Sequence, residues 1–147
     1  MWKVLDHTAD IRIECTAASW AELLAEPPRC LHSLVLEGPR AEPTSPARAA
    51  AESTSRSIDV NGIDASETWV RWWRACLRLL TVEGLLAIDA RVDPASGERH
   101  AQGILACVPL AALGPLQGVD IKAVTWHRAS AARGPDGTWR GTIVLDV

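Results

Sequence analysis

The sequence predicts an α+β fold: two helices packed on one face of a largely antiparallel sheet, in two layers. Two stretches, opening at Ser19 and at Asp64, carry a capping signal followed by apolar residues at helical spacing. The stretch before Ser19 alternates polar and apolar residues, and the C-terminal half falls into apolar runs divided by turn residues. The 147 residues are 48% hydrophobic and 22% charged, enough for the core of one domain without disulfide staples.

The elements follow in order. Ile11, Ile13 and Cys15 oppose Asp10, Arg12, Glu14 and Thr16, the period of two of a half-buried strand. Ser19-Trp20-Ala21-Glu22 is a capping box, and Leu23, Leu24, Leu31 and Leu34 or Val35 give the helix its apolar face. Pro27-Pro28 should kink or break that helix, because an interior proline removes a hydrogen bond at a cost of ~3 kcal/mol. Residues 37–57 are rich in Pro, Ala, Ser, Arg and Glu and read as a flexible loop inside a single domain spanning 1–147. A short strand, Ile58 to Val60, precedes an Asn61-Gly62 turn. Asp64-Ala65-Ser66-Glu67 then opens a second helix, to about Leu80. It carries Trp69, Trp73, Cys76 and Leu80 on one face and Arg71, Arg74 and Arg78 on the other. Strands are expected at Leu85 to Val92, Arg99 to Val108, Val119 to Arg128 and Thr138 to Val147, with Pro109 to Gly118 a loop and Gly134-Pro135-Asp136-Gly137 a hairpin turn.

Composition narrows the function classes. A net charge of −3 argues against a protein that grips nucleic acid in general, though not against one that assists a nucleic-acid enzyme. The seven Trp, with no Tyr or Phe, read mainly as core rings. The four Cys form no C-x-x-C pair and read as buried thiols of a reducing compartment. The N-terminus has no signal-peptide core, and no apolar run reaches the ~20 residues that span a bilayer. A soluble cytoplasmic protein, monomeric or weakly oligomeric, is expected.

Three clusters carry the candidate chemistry: Asp6-His7-Thr8-Ala9-Asp10 where a loop meets the first strand, Lys122-Ala123-Val124-Thr125-Trp126-His127, and the terminal Leu145-Asp146-Val147. Each alone also fits an ordinary surface role. Together and in this order they resemble the archease family, over essentially the whole chain. The resemblance implies a small α+β accessory protein of the RtcB-type RNA ligase, not itself an enzyme. That ligase uses GTP and a divalent metal in tRNA splicing or RNA repair, and the accessory protein promotes its guanylylation and multiple turnover. The resemblance also implies a divalent-cation site through Asp10 and Asp146, with RNA engaged only indirectly.

Physical chemistry agrees with that implication. If the first and last strands pair antiparallel, Asp10 and Asp146 meet at one sheet end, and Val147 adds an α-carboxylate one residue on. Such carboxylates repel one another until a hard cation joins them, and oxygen ligands favour Ca²⁺, Mg²⁺ or Mn²⁺ over zinc. His7 either binds the ion or orients the loop, Asp6 is a supporting carboxylate, and Lys122 is a point charge for a phosphate or a partner's carboxylate. A metal-dependent hydrolase and a chaperone-like interaction module are the alternatives. The arginine stripe reads as a solvated face or as a docking surface for an acidic partner or RNA. The sequence departs from the family pattern at Ala75, where a Glu is usual, and at Pro27-Pro28.

Overall fold

The computed structural model describes residues 1–7, 10–38 and 53–147, with the side chains of Asp6 and His7 outside the description. In chain order the elements are β1 (Trp2–His7), β2 (Asp10–Ala17), α1 (Trp20–Leu36), β3 (Thr54–Asn61), α2 (Ala65–Glu83), β4 (Leu85–Val92), β5 (His100–Pro109), β6 (Ala123–Arg133) and β7 (Trp139–Asp146). The α+β class holds, but the strands divide into two antiparallel sheets, β1-β2-β7-β6 and β3-β5-β4. The reason lies in α1, which buries residues around its whole circumference, from Trp20 and Leu23 through Glu26, Pro28 and Cys30 to His32 and Val35. One sheet covers only one side of such a helix. Here α1 lies against β4 of the smaller sheet and against β2 and β7 of the larger, while α2 lies against β6, β3 and β4.

Both helix starts are where the caps place them. Ser19 Oγ accepts from the Glu22 N–H at 3.2 Å, and Asp64 Oδ1 accepts from the Glu67 N–H at 2.8 Å. Gly84 closes α2 in the left-handed conformation, at φ 65°. The expected break at Pro27-Pro28 is absent: α1 runs unbroken through both residues. Pro28 has no N–H for the Leu24 carbonyl, and the buried Trp72 indole supplies one instead, Nε1–H to Leu24 O at 2.7 Å. The surrounding core thus replaces one of the two hydrogen bonds that the prolines omit.

Other boundaries move too: α2 runs on to Glu83 and β6 to Arg133, and the largest differences are at β1, β3 and the start of β6. β1 was not expected as a strand; its alternation is broken by a bulge between Val4 and Asp6 that leaves Leu5 exposed. β3 begins at Thr54, so the expected loop gives way to strand over 54–57. There the pairs Thr54↔Cys107 to Ser57↔Ile104 build an edge strand too polar to betray itself. The part of that loop at 39–52 lies outside the described residues. β6 begins at Ala123 because the residues before it serve α1. Gln117, Gly118 and Val119 donate their N–H groups to the Leu36, Val35 and Leu34 carbonyls at 3.3, 3.1 and 3.0 Å, filling helix-end acceptors that have no partner within the helix. Gly118 is required there, since a Cβ would run into the Leu34 and Val35 carbonyls.

The core is built on tryptophan. Trp2, Trp20, Trp69, Trp72, Trp73 and Trp139 are buried, whereas Trp126 is 45% exposed. Trp69 and Trp73 meet edge to face at 5.7 Å, and the Trp69 N–H donates to Thr142 O at 3.0 Å.

Candidate functional site at one end of the larger sheet

β2 begins at Asp10 and β7 ends at Asp146, and the antiparallel register sets these two residues directly opposite each other. On the far side of β7, Ala123 is opposite Asp146, and the Lys122 N–H donates to Asp146 O at 2.8 Å. The beginnings of two strands and the end of a third therefore converge at one sheet end. Directly opposed residues share a face with Cβ atoms ~4.5–5.5 Å apart, close enough for two carboxylates to destabilise one another. Asp10 is exposed and Asp146 half-buried. Ala123, the third member of the row, carries only a methyl group. Val147 follows Asp146 at once, its side chain packed on the margin of the core.

The register also places β1. Asp6 lies opposite Arg12 and His7 opposite Ile11, which brings the backbone of both to the strand beside Asp10. Thr8 and Ala9 lie outside the described residues. His127 is exposed, four residues inside β6, in a stretch that breaks the β6–β7 pairing between Thr125 and Ser130, and so does not share the Asp10–Asp146–Ala123 row.

One further charge lies near the site. Arg12, Val144 and Thr125 occupy the next row on the same face as Asp10, Asp146 and Ala123. Arg12 Nε and Thr125 Oγ1 are buried there without a hydrogen-bond partner among the described residues. The carboxylate pair therefore stands one row from a guanidinium. Arg12 reads in the sequence only as the polar phase of an alternating strand; nothing local marks it as half-buried.

In kind, the donors at this end suit a hard cation. The opposed pair offers carboxylate oxygens, and all four thiols are buried in the core. In number they stop at two side chains. Among the described residues no group of three or more His, Cys, Asp or Glu is placed to hold a metal ion. Lys122 is exposed and its side chain makes no ion pair among the described residues.

These features define a class: an α+β protein of two helices and two antiparallel sheets, with a carboxylate pair and a lysine gathered at one sheet end. The model of the Archease protein family matches residues 2–147, and the chain belongs to that family of RNA-ligase accessory proteins. Protein archease from Methanosarcina barkeri is 24% identical over 99% of this chain and 95% of its own length. The solution structure of Methanobacterium thermoautotrophicum protein 1598 shares the fold, with a TM-score of 0.68 at 17% identity over 99% of this chain and 98% of that one. No helix among the described residues is long and apolar enough to cross a membrane.

Proposed function

We propose that this chain activates an RtcB-type RNA ligase, promoting its guanylylation and its return to repeated turnover without joining RNA itself. The observation that carries the proposal is the direct opposition of Asp10 and Asp146, with the Lys122 amide bonded to the Asp146 carbonyl. Motifs more than a hundred residues apart in the chain are drawn to one sheet end, which is the arrangement expected of a shared docking and ion-binding corner. Asp10 and Asp146 hold a divalent cation such as calcium, magnesium or manganese, with the α-carboxylate of Val147 as a further oxygen donor. The bound cation supplies a positive centre that removes the repulsion between the carboxylates. Lys122 reaches outward as the point charge that meets a carboxylate or phosphate of the ligase complex. The backbone of Asp6 and His7 belongs to β1, the strand paired with the one that begins at Asp10.

The test is multiple-turnover ligation by an RtcB-type enzyme, with RNA in excess over ligase. Adding this protein should convert a single round into repeated rounds, and Lys122→Ala should fold normally while losing that effect. Equal turnover with and without the wild-type protein would exclude the reading.

A further inference from the structure

We infer that the face formed by α2 and β6 is a binding surface for single-stranded RNA, with Trp126 as a stacking platform flanked by cations. The inference departs from the expectation that RNA is engaged only indirectly, and it uses the accessory-factor reading only to name the biological occupant; binding itself is measured without a ligase. Trp126 is the one tryptophan left 45% exposed. It is not loose: the Arg74 guanidinium sits over its ring at 5.6 Å, and Arg74 Nη2 also donates to Val124 O at 3.4 Å. Trp126 opens the stretch 126–129, which interrupts the pairing of β6 with β7 between Thr125 and Ser130. Within it Arg128 adopts a left-handed conformation, φ 57°, fixed by the Thr142 hydroxyl donating to Arg128 O at 3.0 Å. Strained backbone held in place by side-chain bonds is the kind of feature that persists where a surface has a task.

Further cations lie on the two elements that meet at the ring. Ser66 Oγ accepts from the Ala131 N–H at 3.0 Å near the start of α2, and Arg74 reaches Val124 further along, so α2 runs antiparallel to β6. Arg78, one turn past Arg74 and about 6 Å on, then falls toward Lys122. Arg71 is tied to Glu67 at 2.9 Å. Arg74, Arg78, Lys122 and Arg128 have no ion-pair partner among the described residues. Two arginines one helical turn apart on α2, with Lys122 and Arg128 at and within the neighbouring strand, suit phosphates, and the exposed indole beside Arg74 suits any base. An acidic protein surface would use the cations but would leave the ring without a partner. Local charge thus overrides the acidic balance of the whole chain.

The experiment is fluorescence anisotropy with a labelled oligouridylate of about ten nucleotides at about 50 mM salt. The wild type should bind, with affinity falling steeply as salt rises. Trp126→Ala should weaken binding about tenfold or more, and Trp126→Phe should restore most of it, because the phenyl ring still stacks. Arg78→Glu should weaken binding and lower the salt slope by about 0.7 for each phosphate that the variant no longer neutralises. An abasic oligomer of equal charge should bind about as weakly as Trp126→Ala binds the intact strand. Absence of wild-type binding would overturn the inference, as would undiminished binding by Trp126→Ala with native stability. Equal affinity for the abasic strand would also overturn it, and would mark the surface as a polyanion site suited to an acidic protein.

Discussion

The bond between Trp72 and the carbonyl of Leu24 explains how α1 survives two adjacent prolines, and it can be measured. Pro28 cannot donate to Leu24 O, and the indole N–H does so at 2.7 Å, with Trp72 fully buried. Trp72→Phe keeps an aromatic ring but orphans that carbonyl in a dry core. The orphaned acceptor costs about 1–3 kcal/mol. The smaller ring leaves a void that adds a further contribution, for a total of about 2–4 kcal/mol. In a chain of this size that lowers the melting temperature by about 2–4 °C per kcal/mol. The void and the bond are separated by repeating the substitution in a Pro28→Ala background. Alanine returns a backbone N–H to Leu24 O, so Trp72→Phe should cost about 1–2 kcal/mol less there. Urea unfolding of the four proteins, with equal m-values, gives the coupling directly. Costs that add to within about 0.5 kcal/mol would refute the argument, and the helix would then owe its continuity to packing alone.

Three further outcomes are expected. Burial holds the His32 pKa below its ordinary value of 6.5, so as pH falls through that value the unfolded chain takes up the proton first and stability declines. His32→Gln should flatten that decline, and parallel pH profiles for the two proteins would contradict it. Burial also raises all four thiols, Cys107 to about 11 and Cys15, Cys30 and Cys76 beyond the ordinary thiol range. A disulfide-exchange reagent at mildly alkaline pH should therefore titrate none of the four in the native protein and all of them in denaturant. Calcium or manganese should raise the melting temperature of the wild type but not of Asp10→Ala or Asp146→Ala. A full response in both variants would place the ion elsewhere, and an undiminished response in a C-terminally tagged protein would remove Val147 from the ligand set.

Local signals carried most of the fold. The capping residues Ser19 and Asp64 mark both helix starts, and the strand Leu85–Val92 has the limits its apolar run implies. Tertiary context decided the rest. Nothing near Pro28 reports that an indole forty-four residues later will replace its missing donor. The polar start of β3 is strand only because β5 lies beside it, and Gly118 and Val119 are spent on the end of α1 instead of on β6. At the site, the alternation around Asp10 and the strand running into Asp146 made their meeting conditional on one pairing, which the register provides. Arg12 and Thr125 belong to the adjoining row through that same register, which no local pattern conveys. Trp126 looks like any other tryptophan in the sequence, yet it is the one left exposed, at the start of the break in β6.

The most direct measurement of the central claim is multiple-turnover ligation by an RtcB-type enzyme in the presence of paired variants. Asp10→Asn and Asp146→Asn each remove one charge from the opposed pair, and Asp136→Asn removes one from the Gly134–Gly137 hairpin turn at the other end of β6 and β7. Wild type and Asp136→Asn should sustain many rounds, while Asp10→Asn and Asp146→Asn should each leave the ligase close to a single round despite native melting behaviour. Turnover sustained equally by all four proteins would contradict the account.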